Sequence, residues 1–288
     1  MKELILKPEI MLFKNKDLLE QYLNEGFVII KLYNENTVNC MKNLYQKNYV
    51  KGGNGLLPSL RFGSAEENIR LHYEIGEMVK ESLNAFFEDF DFVANHFITK
   101  TIGENNEFRL HQDWNVVDER QYIAAHIWSP LQQTNEENGG LFVVKKSHHF
   151  FKNYRSGSLG IPFIDSTEKL RKNIVSANLL PGDAIVYNQA LFHGSYPNLS
   201  NEDRKVVLTS IKPSQAPMVY YHKTGNENGG ICIELFEISP EILFEQVSKL
   251  EKGETPVSAI SHESFVYSGY ENRAIDNVIF EALATLYV

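Results

Sequence analysis

The stretch Leu110-His111-Gln112-Asp113-Trp114 sets an imidazole and a carboxylate two residues apart. In an extended segment, side chains at i and i+2 point to the same face, so His111 and Asp113 converge while Gln112 turns away. Spacing alone does not select this pair. The chain has 9 His and 37 acidic residues, and His72-Tyr73-Glu74 offers the same pattern. That competitor lies in a stretch of helical periodicity, where i and i+2 do not share a face.

A third donor comes from far along the chain. His193 follows the strand-like run DAIVYN (183–188) and precedes Gly194, and Arg204 opens the run RKVVLTSI eleven residues later. Two histidines and one carboxylate are the parts of the facial triad that holds non-haem Fe(II), leaving three of six octahedral positions open for co-substrate and dioxygen. A guanidinium binds a carboxylate through two parallel hydrogen bonds, so Arg204 suits the far end of a chelating dicarboxylic acid such as 2-oxoglutarate. The plainer reading of Arg204 is a surface ion-pair partner in the NEDRK turn.

These residues together resemble the phytanoyl-CoA dioxygenase-like Fe(II)- and 2-oxoglutarate-dependent oxygenases, over roughly residues 92–212. LHQDW looks like the family's His-x-Asp motif, which implies iron ligation by His111 and Asp113. His193-Gly194-Ser195 with Pro197-Asn198 and Ser200 is similar to the distal His-Gly-Ser motif and carries ligation onto His193. The resemblance implies that Arg204 binds 2-oxoglutarate, that Ser195 touches the same co-substrate, and that Trp128 lines its pocket. Ser195 read without it is a turn cap, and Trp128 is equally well a core aromatic. Thr99 and Tyr187, on strands expected to line the barrel, are further candidates for hydrogen bonds to the co-substrate. His126, two before Trp128, reads as a core or pocket histidine rather than a fourth ligand. The segment ENGGLFVVKKSHH departs from the family pattern at Lys145-Lys146, where Pro-Gly is usual, and this weakens any transfer of substrate.

The elements that must position these groups follow from periodicity. Helices are expected over about 15–25, 35–50 and 66–88, with a short buried strand at 27–32. From about residue 92 the texture changes to short β-branched and aromatic runs broken by Gly, Pro and Asn: 92–101, 121–131, 140–145, 173–180, 183–188, 204–211 and 218–223. Such spacing without intervening helices predicts antiparallel strands in a sandwich or barrel. The fold class is therefore mainly β with flanking helices, and the resemblance implies a double-stranded β-helix, or jelly roll. A helix is expected after 238, with Ser239 as N-cap and Pro240 at its first position, and another over about 271–286. The expected organisation is one domain over 1–288: a mostly helical part to 91, the jelly-roll core over 92–222, and a strand and helices from 223. The run KGGNGLLPS (51–59) reads as a surface loop or a lid.

Composition bounds the partners. With 43% hydrophobic residues and a formal net charge of -9, the chain has material for a core and no general attraction for nucleic acid or anionic membranes. Two cysteines without a CxxC pair, no signal-like start and no long apolar run predict a cytoplasmic protein without a membrane span. The expected activity is hydroxylation of a small organic molecule such as an amino acid, lipid or natural product. Fe(II), 2-oxoglutarate and O2 would be required, with succinate and CO2 as co-products. The alternatives are a non-catalytic jelly-roll binding protein and a cupin-type metal hydrolase or isomerase, neither of which needs an Arg204 that binds 2-oxoglutarate.

Overall fold

The computed structural model describes residues 12–48, 53–149, 154–160 and 170–267. Two antiparallel sheets form the centre. The larger has strand order β1-β8-β5-β10-β3-β2 and the smaller β4-β9-β6-β7. In chain order these are β1 (Phe27–Lys31), β2 (Leu56–Pro58), β3 (Phe90–Lys100), β4 (Phe108–His111), β5 (Ala125–Pro130), β6 (Leu141–Val144), β7 (Ile174–Ser176), β8 (Asp183–Asn188), β9 (His193–Ser195) and β10 (Arg204–Pro213). Non-sequential neighbours in both sheets and interior packing between them give the jelly roll.

Register decides which side chains face inward. Rows of Cα partners run across the large sheet as Lys100·Arg204, Ile98·Val206·Pro130, His96·Leu208·Trp128 and Ala94·Ser210·His126. Strand β8 extends two of them by placing Ile185 beside Trp128 and Tyr187 beside His126. Because side chains alternate, one row set shares one face. Ile98, Trp128, Ile185, Tyr187 and Val206 of this set pack with Leu141 and Val143 of the small sheet, so this face is the interior of the roll. The alternate set, with Phe97, Ile127, Val186 and Val207, packs against the helices.

Those helices are α1 (Lys16–Glu25), α2 (Glu35–Lys47) and α3 (Ala65–Asn84). Each starts at a side chain that accepts the free amide hydrogens of the first turn. Asn15 caps α1, Asn34 caps α2, and Ser64 forms a reciprocal capping box with Glu67 on α3. Their apolar faces, with Tyr22, Val38, Met41, Leu71, Ile75 and Val79, cover the outside of the large sheet.

Several expectations need correction. Helix α3 ends at Asn84 rather than 88, and the strand expected from 121 begins at Ala125. Before it, the Asp118 carboxylate gathers the Arg120 amide and the side chains of Arg120 and Gln121 into a turn. Of the segment expected as a loop over 51–59, Leu56–Pro58 pairs with β3 and Ser59–Arg61 is a 3-10 turn; residues 51 and 52 lie outside the described residues. The part from 223 is richer in strand than expected. β11 (Val219–Glu227), β12 (Gly230–Glu237) and β13 (Ile260–Tyr267) form a third sheet, joined at its first hairpin by Asn228 and Gly229 at positive φ. Helix α4 (Pro240–Glu251) follows β12 and is capped by Ser239 as expected. The helix expected over 271–286 lies outside the described residues. Among the described residues no helix is long and apolar enough to cross a membrane.

Candidate functional site

His111 and His193 are Cα partners across β4 and β9, and their rings lie 4.2 Å apart, centroid to centroid. Each ring is fixed through Nδ1, which donates to a carbonyl two residues back: Arg109 for His111 and Leu191 for His193, both at 2.9 Å. This leaves Nε2 of both as free lone pairs. Asp113 completes the group, with Oδ1 3.7 Å from His111 Nε2 and Oδ2 3.3 Å from His193 Nε2. One donor atom from each residue lies within 4.8 Å of the others, so the trio can hold a single metal ion.

The loop that carries Asp113 is pinned on both sides. Its amide donates to Gln189 O at 3.1 Å, and its carbonyl accepts Arg155 Nε at 2.7 Å. Arg155, itself buried, pairs with Glu119 at 2.5 Å. Asn115 and Arg155 also exchange hydrogen bonds, Arg155 N to Asn115 Oδ1 and Asn115 N to Arg155 O. Gln112, turned away as the spacing predicts, donates to Ala190 O.

Electrostatics favour ligand-ready forms. Burial acts to raise the Asp113 carboxyl, but the imidazoles around it, His193 first, outweigh burial and hold it well below the ordinary carboxylate range. Burial pulls His193 down to about 4 against the opposing pull of Asp113, so its ring is neutral at physiological pH. His126 is also lowered, mainly by burial. Its Nε2 stands 3.4 Å from Asp113 Oδ2, and its Nδ1 is 2.6 Å from Ser210 Oγ. It therefore adjoins the trio without belonging to it.

At the far end of the same face lies a pair of buried cations. Arg204 is 1% exposed and Lys100, its Cα partner, 0%. Arg204 donates from Nη1 to Gly139 O at 2.7 Å, its Nε is buried without a partner, and its guanidinium carbon stands 5.2 Å from the centre of the Trp128 ring. Among the described residues, no carboxylate lies within ion-pair distance of either cation. Burial lowers Arg204 to about 9, and burial followed by the Arg204 charge lowers Lys100 to about 6. Two like charges without an anion are costly in a protein interior. A carboxylate of a bound molecule would offset them, and a dicarboxylic acid chelating a metal at the trio could supply it.

The expected residues divide between the faces of the large sheet. Trp128 packs on Arg204, and Tyr187 lies against His193 and His126 with ring centres 4.7 and 5.5 Å away. Ser195 faces the cation pair, its Oγ accepting from Lys100 Nζ at 2.7 Å. Thr99 is a correction: one residue out of phase with Lys100, it turns to the helices, where its hydroxyl meets Tyr45 OH at 2.8 Å. His72 is buried in α3 and its Nδ1 accepts from the Asn95 amide, while Glu74 pairs with Arg70, so the competing pair is not a chelate. Lys100 was missed. The signal for it was its parity with His96 in FVANHFITK, but a lysine at a strand end reads as solvated.

Comparison with known proteins agrees with this architecture. A model of the phytanoyl-CoA dioxygenase (PhyH) family matches residues 62–206, half of the chain. Among solved structures, the chain is similar to the epimerase SnoN in complex with Fe3+, alpha ketoglutarate and nogalamycin RO. That likeness has 16% identity over 70% of this chain and 84% of that one, with a TM-score of 0.52. EctD from S. alaskensis in its apoform gives 17% identity over 71% and 79%, with a TM-score of 0.51. The non-heme alpha ketoglutarate dependent carbocyclase SnoK from nogalamycin biosynthesis gives 13% over 85% and 93%, with a TM-score of 0.50. At these identities the likenesses establish a shared fold, and the family match goes further: this chain belongs to the phytanoyl-CoA dioxygenase family of Fe(II)- and 2-oxoglutarate-dependent oxygenases.

Proposed function

We propose that the protein is a dioxygenase that hydroxylates an unactivated C–H bond of a small organic molecule, with 2-oxoglutarate converted to succinate and CO2. The observation that carries this reading is the combination of His111, Asp113 and His193 around one point with buried Arg204 and Lys100 on the same interior face, neither of them within ion-pair distance of a carboxylate among the described residues. The trio would hold Fe(II), and Arg204, with Ser195 and Trp128, would hold the distal carboxylate of 2-oxoglutarate. When bound, iron and 2-oxoglutarate together supply the activation of dioxygen that protein side chains cannot.

The residues do the rest. His111 and His193 present Nε2 to the metal because their Nδ1 atoms are committed to backbone carbonyls. Asp113 supplies the single negative charge of the trio. Arg204 fixes the co-substrate's orientation through a planar fork that a lysine could not reproduce. Tyr187, Trp128 and the apolar interior between the sheets exclude water from the reacting centre. Beyond Asp113, Trp114 stands edge-on to Tyr220 at 6.0 Å within the apolar cluster that α4 covers, which ties the ligand-bearing loop to the C-terminal part of the chain.

Hydroxylation is the simplest outcome for a site that keeps its carboxylate ligand, and the alternative of a silent jelly-roll binder would not need the whole constellation. The test is a metabolite library screened for succinate release above the substrate-free background, followed by mass analysis of the product. A compound that gains one oxygen atom with wild type, and not with Asp113→Gly, is expected. Succinate release coupled to a product of unchanged or reduced oxygen content would replace hydroxylation with epimerisation, desaturation or ring formation. No succinate from any mixture, with iron bound, would favour the silent binder.

A further inference from the structure

Lys100 has a role that its composition as a buried strand-end lysine does not suggest. In its protonated form the amine carries three hydrogens, and three acceptors surround it: Ser195 Oγ at 2.7 Å, Ser195 O at 3.1 Å and Tyr196 O at 2.5 Å. All three come from the last residue of β9, the strand that opens with His193, and the residue after it. A hydroxyl that accepts from an ammonium keeps its own hydrogen, and the positive charge turns that hydrogen away from itself. Ser195 is buried, and period two in the strand puts it on the side of His193. Its hydrogen is therefore left for an acceptor on the interior face that carries His193.

Both cations rest on one residue. Gly139 accepts from Arg204 through its carbonyl, and a Cβ added to Gly139 would stand 2.7 Å from Lys100 Cδ. The NGG turn of the small sheet thus seats Arg204 and leaves room for the lysine stem beside it.

We propose that Lys100 is a positioning residue that acts through Ser195, fixing its hydroxyl as a donor to the distal carboxylate of the co-substrate and making the pocket select 2-oxo dicarboxylates over 2-oxo monocarboxylates. This rests on the Fe(II) and 2-oxoglutarate reading above. In the bound complex the carboxylate takes hydrogen bonds from Arg204 and Ser195, and Lys100 adds the second positive charge behind the serine.

The test is binding, not turnover. The Fe(II)-loaded full chain is titrated without oxygen with 2-oxoglutarate and, separately, with 2-oxobutyrate, following the visible charge-transfer absorption of the chelated 2-oxo acid. Lys100→Met is expected to weaken 2-oxoglutarate by about tenfold or more, the loss of a charge-assisted partner, and to leave 2-oxobutyrate within about twofold. Ser195→Ala should weaken 2-oxoglutarate by about threefold with the same selectivity, and the double variant should bind no more weakly than Lys100→Met alone. Equal losses for both acids, no loss for either, or effects of the two changes that multiply would overturn the proposal. Should Lys100→Met fail to fold, Ser195→Ala decides alone, since it removes a single oxygen atom: an unchanged preference between the two acids rejects the role. Absence of the absorption with wild type and either acid rejects the underlying reading itself, and this inference with it.

Discussion

At the scale of single residues, the site depends on which atoms are already committed. His111 and His193 spend Nδ1 on carbonyls, so they can only offer Nε2, and Asp113 lies between them. Asp113→Gly should lower Fe(II) affinity by more than about a hundredfold, measured by anaerobic competition with a chelating dye, because changes to outer partners alone cost up to that much. Arg204→Lys should weaken 2-oxoglutarate by about ten- to a hundredfold despite keeping the charge, since the fork is lost. Lys100 also makes a pH prediction. It is drawn down to about 6 by burial and by Arg204, with Glu107 opposing, while Ser195 and the Ser195 and Tyr196 carbonyls supply only neutral dipoles. A bound dianion raises it again, so binding near pH 7.5 should take up a proton. Calorimetry in buffers of different ionisation enthalpy reads this directly, and proton release or no exchange would contradict it. His111, Asp113, His193 and Arg204 were legible because residue type, period two and the family resemblance pointed the same way. Thr99 and Lys100 were not, because which of two neighbours faces inward depends on pairing with Arg204 across β10, and register is not written in β3 itself.

At the scale of elements, short pieces carry the geometry. β4 and β9 span only Phe108–His111 and His193–Ser195, yet their pairing brings the two histidines together. Pieces so short lack the alternation that reveals longer strands, which is why the chain shows the histidines more plainly than the strands that hold them. The helices were readable for the opposite reason: apolar residues recur at three and four over whole turns, and Ser239 marks the start of α4 through a side chain that can satisfy a free amide. Ser64→Ala should cost about 1 kcal/mol, lowering the melting temperature by about 2 °C without altering 2-oxoglutarate binding. Gly139→Ala should do both. Gly139 has φ of +79°, and its added Cβ would also stand 3.2 Å from Tyr196 O. A loss of about 1–3 kcal/mol in stability is expected, together with weaker 2-oxoglutarate binding, read by thermal melts with and without the acid.

At the scale of the molecule, two sheets enclose the candidate site, helices α1 to α3 close the outside of the larger, and a third sheet with α4 packs on Val93 and Ala94 of β3. The antiparallel core was legible from the spacing of its strands. The third sheet was less so, since β12 follows a turn that merely repeats the NGG pattern and β13 is separated from β12 by α4. The central claim is that this enclosure commits one atom of dioxygen to the co-substrate. Turnover under isotopically heavy dioxygen, with succinate analysed by mass spectrometry, tests it most directly. Succinate carrying one heavy oxygen atom in wild type, and no succinate from Asp113→Gly or Arg204→Met, is the predicted result; unlabelled succinate, or equal yields from all three proteins, would contradict it.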